Sequence, residues 1–88
     1  MPSPIVELNR AVAVGRAFGL DAGLELIAKL EGEKALEQSH LLPAVRGDLL
    51  VRAGRVREAQ ADFARAASMT GNERERAVLL RRAGAVRA

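Results

Sequence analysis

The stretch from Ser39 to Asn72 constrains the fold of this chain more than any other part. Its apolar spacing predicts two helices separated by a tight break at Ala53-Gly54-Arg55. Gly47 lies inside the first helix, where a side chain would obstruct a closely packed neighbour. Three residues of the second helix lie at positions i, i+4 and i+7 and share one face: Ala59, Phe63 and Ala66. This small–large–small order predicts that one ring fills a hole between two places where backbones approach closely.

This spacing resembles that of a tetratricopeptide unit, a helix pair that repeats about every 34 residues. Gly47 falls on the small position of that unit's first helix, and Leu50 falls on its large position. Pro43 stands where the unit usually has an aromatic residue, and Gly71 replaces its usual terminal proline. The resemblance implies an all-α fold in which helix pairs stack as a short solenoid.

A weaker copy of the same pattern precedes this stretch. Gly19 and Gly54 are 35 positions apart, and each stands between two amphipathic helices. We therefore predict Pro4–Leu30 as the first helix pair and Ser39–Thr70 as the second. Glu31-Gly32-Glu33 separates the pairs, and the residues from 34 to 38 are expected to add one short helical turn.

The first helix is expected to begin with Ser3 as its N-cap and Pro4 at its first position. It should end near Ala17, because Gly19 stops it. Its apolar face is predicted from the spacing of Ile5, Leu8, Val12 and Gly15, widened by Ala11, Ala13 and Ala17. Asp21 is expected to cap the next helix, whose apolar positions are Leu24, Ile27 and Leu30.

A closing helix is predicted from about Glu73 to Val86, with Asn72 as its N-cap and Glu75 reaching back to it. It is expected to offer Ala77, Leu80 and Ala83 to the core, with its arginines on the other faces. The predicted fold is two antiparallel helix pairs plus a C-terminal capping helix. We expect residues 1–88 to form this one domain and to be a fragment of a longer protein.

Composition excludes several classes of site. The chain has no cysteine and one histidine, so neither a disulfide framework nor a thiolate metal site is expected. His40 has no serine–acid or cysteine partner at a recognisable spacing, so a capping or packing role is expected for it. No phosphate-binding glycine loop and no apolar run of membrane-spanning length occur in the sequence. We predict no catalytic, cofactor-binding or metal-binding residue and expect a soluble, cytoplasmic protein.

The charge is unevenly placed along the chain. Residues 1–43 carry four basic and six acidic side chains, a net charge of −2, whereas residues 44–88 carry ten arginines and five acids, a net charge of +5. A basic half is suited to an acidic protein face or to nucleic acid. The absence of tyrosine and tryptophan disfavours single-strand binding, which depends on aromatic stacking.

Surface recognition is the chemistry that remains. In a tetratricopeptide array the first helix of each pair lines a concave groove. The repeat frame places Asn9, Ala13 and Arg16 on that face from the first copy, and Ala44, Asp48, Val51 and Arg52 from the second. We predict Asn9, Arg16, Asp48 and Arg52 as partner-binding residues, because such groups bind peptide backbones and carboxylates. The alternative is that two pairs are too few to form a groove and that Arg52 and Asp48 make a local ion pair.

Two segments carry a more specific resemblance. One is S-P-I-V-E-L-N-R-A-V-A-V at 3–14, followed by Gly19 and Ala22-Gly23-Leu24. The other is H-L-L-P-A-V-R-G-D-L-L at 40–50, followed by Gly54-Arg55 and Glu58-Ala59 and then by Glu75-Arg76 and Leu80-Arg81-Arg82. Within them, L-N-R-A-V-A and H-L-L-P-A-V-R are more specific than any repeat motif. Together they resemble the tetratricopeptide-like C-terminal extension of some extracytoplasmic-function RNA polymerase sigma factors. The resemblance implies a non-catalytic module that regulates or supports transcription initiation by contacting the rest of the sigma factor or the polymerase machinery. DNA would be contacted only through the sigma regions, which this chain lacks.

Two alternatives remain open at this point: a generic tetratricopeptide domain that binds peptides outside transcription, and an auxiliary nucleic-acid contact through the arginines. We also expect an apolar flank on the first helix at Val6, Ala13 and Ala17. Preceding helices of a longer protein would cover that flank. In this chain alone the exposed flank predicts self-association, most simply as a two-fold homodimer.

Overall fold

The computed structural model describes residues 4–85. They form five α-helices: α1 (Pro4–Phe18), α2 (Leu20–Leu30), α3 (Leu41–Arg52), α4 (Val56–Met69) and α5 (Glu73–Ala85). A short 3-10 turn, Lys34–Leu36, stands between α2 and α3, and no strand occurs within these residues. The prediction of an all-α fold is confirmed. Ser3, the expected N-cap of α1, lies outside the described residues.

Glycines in the left-handed region make the two tight breaks. Gly19 has a φ of 102° between α1 and α2, and Gly54 has a φ of 78° between α3 and α4. Residues with a β-carbon rarely adopt this conformation, so glycine is required there. Both breaks were predicted, but Asp21 is not the cap of α2. Gly19 occupies the cap position. Asp21 lies in the first turn, where its negative charge interacts favourably with the positive end of the helix dipole.

Each helix packs against the next one within its pair, and α4 also packs against α5. The core has two clusters of buried side chains. The first joins α1, α2, the 3-10 turn and α3 through Leu8, Ala11, Ile27, Leu30, Leu36, Leu42 and Leu49. The second joins α3, α4 and α5 through Leu50, Ala59, Phe63, Ala66, Ala67 and Leu79. The predicted face of α4 is confirmed, because Ala59, Phe63 and Ala66 are all buried.

The buried face of α1 differs from the prediction at its edges. Leu8, Ala11 and Gly15 are buried, whereas Ile5 is 51 % exposed. The reason is the close approach of α2: a β-carbon at Gly23 would lie 2.8 Å from the carbonyl oxygen of Ala11. This approach centres the contact on Ala11 and Gly15. Ala13 and Ala17 consequently lie on the exposed side rather than widening the core face.

Helix α5 begins as predicted. The Asn72 side-chain oxygen accepts hydrogen bonds from the backbone N–H groups of Arg74, at 2.9 Å, and Glu75, at 3.1 Å. Glu75 does not reach back to Asn72, however. Its carboxylate accepts a hydrogen bond from Thr70 Oγ1 at 2.9 Å, and Thr70 Oγ1 accepts the Asn72 N–H.

The core residue of α5 is Leu79, so the predicted face was wrong. Ala77 is exposed and Leu80 is 53 % exposed, while Ala83 packs against the second cluster as expected. The rotation of the helix follows from Arg76, whose guanidinium donates to the carbonyls of Ala67 at 3.2 Å and Thr70 at 2.8 Å. With Arg76 turned toward α4, the positions three and seven residues later face α4 as well.

Candidate protein-interaction surface

Two polar contacts place α5 beside α3. At the start of α3, His40 Nε2 lies 3.2 Å from Glu75 Oε2. Two turns further along, the Asp48 carboxylate forms an ion pair with Arg82. The partners are 35 and 34 positions apart, so the chain direction is the same in both helices and α3 and α5 run parallel.

Helix α1 also packs against α3. A β-carbon at Gly15 would lie 3.1 Å from Leu49 Cδ2, and these two residues are also 34 positions apart. The second helices of the two pairs share another regularity. The three buried residues of α2 have the same spacing as three of the five buried residues of α4, which lie 36 positions later: Gly23, Ile27 and Leu30 in α2, and Ala59, Phe63 and Ala66 in α4.

An apolar groove of about 310 Å³ lies between the first turns of α3 and α5. Its walls are His40, Leu41 and Ala44 on one side and Arg74, Glu75, Val78 and Leu79 on the other. Val78 is 44 % exposed there, which is high for an aliphatic side chain beside a core cluster. The sequence indicated Ala44 for a binding face but missed Leu41, Val78 and Leu79, because the rotation of α5 depends on the hydrogen bonds of Arg76.

His40 has a packing role at this groove and does not cap α3. The hydroxyl of Ser39 accepts the N–H of Leu41 at 3.2 Å, whereas the His40 side chain makes no cap hydrogen bond. Its imidazole meets Glu75 instead. The contact joins the start of α3 to the first turn of α5. It becomes an ion pair when the imidazole is protonated.

The ion pair between Asp48 and Arg52, which was the alternative to a binding role for these residues, does not form. Asp48 pairs with Arg82, whose guanidinium also lies 4.6 Å from the centre of the Phe63 ring. One arginine thereby gains a carboxylate and an aromatic face, which a partner on the same helix does not offer. Arg52 is exposed, as are the other two predicted partner-binding residues, Asn9 and Arg16. They lie outside the α3–α5 groove, and their role stays a prediction.

A separate polar cluster ties α3 to α4. Arg46 donates two hydrogen bonds of 2.7 Å to the carboxylate of Asp62, which is 5 % exposed, and it also pairs with Glu31. The hydrogen bonds to Asp62 raise the pKa of Arg46 above its ordinary value, although partial burial opposes this shift. On the surface beside this cluster, the Arg55 guanidinium lowers the pKa of Glu58 by hydrogen bonding to it.

These two pairs line a cleft of about 420 Å³. Every charged side chain in it already has a partner of opposite charge, so the cluster is suited to joining helices rather than to binding a ligand. Nothing in the sequence indicated the Arg46–Asp62 pair, because its members are 16 positions apart on different helices.

In the second half of the chain, over the described residues 44–85, the acidic side chains are all paired with basic ones, whereas several arginines have no acidic partner. All five of these carboxylates meet a basic side chain: Asp48, Glu58, Asp62, Glu73 and Glu75. Between Leu41 and Ala85, five arginines have no acidic partner: Arg52, Arg57, Arg65, Arg74 and Arg81. The excess positive charge of this half is therefore available at the surface.

Two other kinds of feature are absent from residues 4–85. No helix among them combines the length and the apolar character needed to cross a membrane. They also contain no group of three or more histidine and acidic side chains placed to hold a metal ion.

Comparison with known proteins gives one informative match. The chain is 41 % identical over 78 residues to an uncharacterized protein of Rhizobium meliloti (strain 1021). The match covers 89 % of this chain but 18 % of that protein, so the chain spans less than a fifth of the relative's length. No family model and no solved structure matches the chain.

Proposed function

We propose that this chain is a non-catalytic protein–protein interaction module of an extracytoplasmic-function sigma factor. In this proposal it folds as a short tetratricopeptide-like solenoid and acts in the cytoplasm. Its partner is the rest of the sigma factor or the polymerase machinery. The observation that carries the proposal is the apolar groove between the parallel helices α3 and α5.

The helix arrangement supports the solenoid part of the proposal. In a stack of helix pairs, the first helices of successive units lie side by side and parallel, one repeat length apart. Separations of 34 and 35 positions between α1 and α3 and between α3 and α5 are what such a stack requires. The matching buried positions of α2 and α4 add a second, independent sign of repetition.

The character of the groove supports a protein partner. It is concave, lined mainly by aliphatic side chains and open to solvent, which suits an apolar side chain of a second polypeptide. The polar pairs His40–Glu75 and Asp48–Arg82 fix the two helices that form its walls. A groove held open in this way costs little to order when a partner binds.

The two segments that resemble the sigma-factor extension support the choice of parent protein. L-N-R-A-V-A contributes Leu8 and Ala11 to the first core cluster, and H-L-L-P-A-V-R contributes Leu42 and the Arg46 that binds Asp62. Four residues of the segments that carry the resemblance thus help to hold the helices together. If the proposal is right, the reading frame upstream of Met1 encodes the two DNA-binding sigma regions, and a frame without them contradicts the sigma-factor assignment.

A binding titration tests the interaction itself. The sigma regions of the parent polypeptide, produced separately, are titrated with this chain. Val78→Asp places a charge in the groove and should weaken binding about tenfold, the effect of about 1.4 kcal/mol. Leu80→Asp is the matched control, since Leu80 lies on the same helix, is similarly exposed and does not line the groove. Equal binding by both variants contradicts the proposal, as does sequence-specific DNA binding by the chain alone.

A further inference from the structure

The outer lip of the α3–α5 groove combines an apolar side chain with two unpaired positive charges. Arg74, Val78 and Arg81 stand at i, i+4 and i+7 of α5 and share one face of that helix. Arg74 and Val78 line the groove directly. Neither Arg74 nor Arg81 has an acidic partner, whereas Arg76 and Arg82 on the same helix are both paired. This stripe alternates cation, aliphatic and cation: Arg74 and Val78 line the apolar cavity, and Arg81 follows about one turn further along the same helix face.

None of the carboxylates in the described residues 44–85 is left unpaired to neutralise Arg74 and Arg81. The five acidic side chains there are already paired, and the acid nearest the groove, Glu75, is held by His40 and Thr70. An approaching partner therefore meets uncompensated positive charge on either side of Val78. Charge complementarity of this kind raises association rates and selects acidic partners.

We infer that the groove binds an acidic peptide segment in which one bulky apolar side chain is flanked by carboxylates. The apolar side chain enters the cavity among Leu41, Ala44 and Leu79, and the flanking carboxylates meet Arg74 and Arg81. Guanidinium groups bind carboxylates through two parallel hydrogen bonds, so these arginines add direction as well as charge. This inference rests on the proposed interaction function and specifies the chemical class of the partner.

The geometry also separates this site from a general attraction to polyanions. Arg57 and Arg65 are equally free of acidic partners but lie on α4, away from the groove. A polyanion attracted by net charge alone gains from all four arginines alike. A segment seated in the groove depends on Arg74 and Arg81 and on its own apolar residue.

The test uses fluorescein-labelled peptides and fluorescence anisotropy. The probe panel contains peptides with a central leucine, phenylalanine or tryptophan among aspartates and glutamates. One control panel has asparagine and glutamine in place of the acids, and another has alanine at the centre. At least one acidic peptide should bind, and both changes should weaken its binding about tenfold.

Charge-reversal variants of this chain then locate the site. Arg74→Glu and Arg81→Glu should each weaken the acidic peptide about tenfold, and the matched control Arg57→Glu less than about twofold. Equal loss in all three variants, equal binding of the amide peptides, or no binding up to about 1 mM overturns the inference. If the separate sigma regions still bind Arg74→Glu and Arg81→Glu as tightly as the wild type, the acidic class is wrong while the interaction function stands. If Val78→Asp is the only one of the three variants that loses binding to the sigma regions, the acidic class is likewise wrong and the interaction function stands.

Discussion

The ring of Phe63 lies directly against the backbone of Gly47: a β-carbon at Gly47 would be 2.8 Å from Cε1 of that ring. The close approach predicted from the sequence is therefore real, and the neighbour is the ring rather than a helix backbone. Phe63 is 1 % exposed and the Arg82 guanidinium lies 4.6 Å from the centre of its ring, so the ring has little room to move.

We predict that Gly47→Ala destabilises the protein by up to about 2 kcal/mol. Overpacking costs about 1–3 kcal/mol, and the better helix propensity of alanine returns about 1 kcal/mol at most. Gly84→Ala is the matched control, because Gly84 is also helical but has nothing near its missing side chain. Urea denaturation should give a lower midpoint for Gly47→Ala and an equal or higher one for Gly84→Ala. A stabilised Gly47→Ala variant contradicts the close packing.

The second prediction concerns the attachment of α5 through Arg82. Arg82→Ala removes the ion pair with Asp48 and the contact with the Phe63 ring, and we expect a loss of about 1–2 kcal/mol. Arg81→Ala is the control, since its side chain is exposed and makes neither contact, and should change stability by less than about 0.5 kcal/mol. Amide hydrogen exchange in α5 should accelerate in Arg82→Ala only. Equal exchange rates in the two variants argue against Arg82 as the residue that fixes α5.

The Arg46–Asp62 pair predicts an order of effects. Arg46→Met leaves a carboxylate that is 5 % exposed without its partner, so we expect a loss of about 3 kcal/mol. Asp62→Asn should cost less, because Arg46 is only partly buried and keeps its contact with Glu31. Chemical denaturation of both single variants and of the double variant gives the coupling energy. If Asp62→Asn costs more stability than Arg46→Met, leaving Arg46 without its partner costs more free energy than leaving Asp62 without its partner, and the prediction is wrong.

Self-association through α1 is the fourth prediction. Val6 is 56 % exposed, and Ala13 and Ala17 are exposed on the same side of the helix. We expect this chain to form a two-fold dimer that Val6→Lys with Ala13→Lys converts to a folded monomer.

Sedimentation at high concentration measures this equilibrium. Ala77→Lys with Leu80→Lys is the control, because it makes the same charge change at the exposed apolar positions of α5. The control should remain dimeric. If the wild type is monomeric, self-association is ruled out. If only the control variant is monomeric, the contact between copies lies on α5 rather than on α1.

The sequence was sufficient where a structural feature depends on residues close together in the chain. Both helix breaks follow from Gly19 and Gly54, and the buried face of α4 follows from the spacing of three residues. Asn72 marks the start of α5 because a cap acts on the next three residues. Such features are decided within one or two helical turns.

Features that depend on distant partners were missed or wrong. Leu80 rather than Leu79 was expected in the core, because both fit an apolar stripe. The hydrogen bonds from Arg76 to carbonyls at the end of α4 decide between them and place Leu79 in the core. An ion pair of Asp48 with Arg52 was one of two alternatives for these residues, but Asp48 pairs with Arg82, which becomes its neighbour only when α5 folds against α3. The groove has no sequence signature for the same reason, since its walls come from two helices that are not consecutive in the chain.

Transcription by polymerase reconstituted with the proposed parent sigma factor tests the central proposal most directly. Three forms of that factor are compared at equal concentration: wild type, Val78→Asp and Leu80→Asp, each verified as folded by circular dichroism. The account predicts that Val78→Asp lowers the transcript yield about tenfold and that Leu80→Asp leaves it within about twofold of the wild type. Wild-type yield from Val78→Asp, or an equal loss in both variants, would contradict an interaction module that works through the α3–α5 groove.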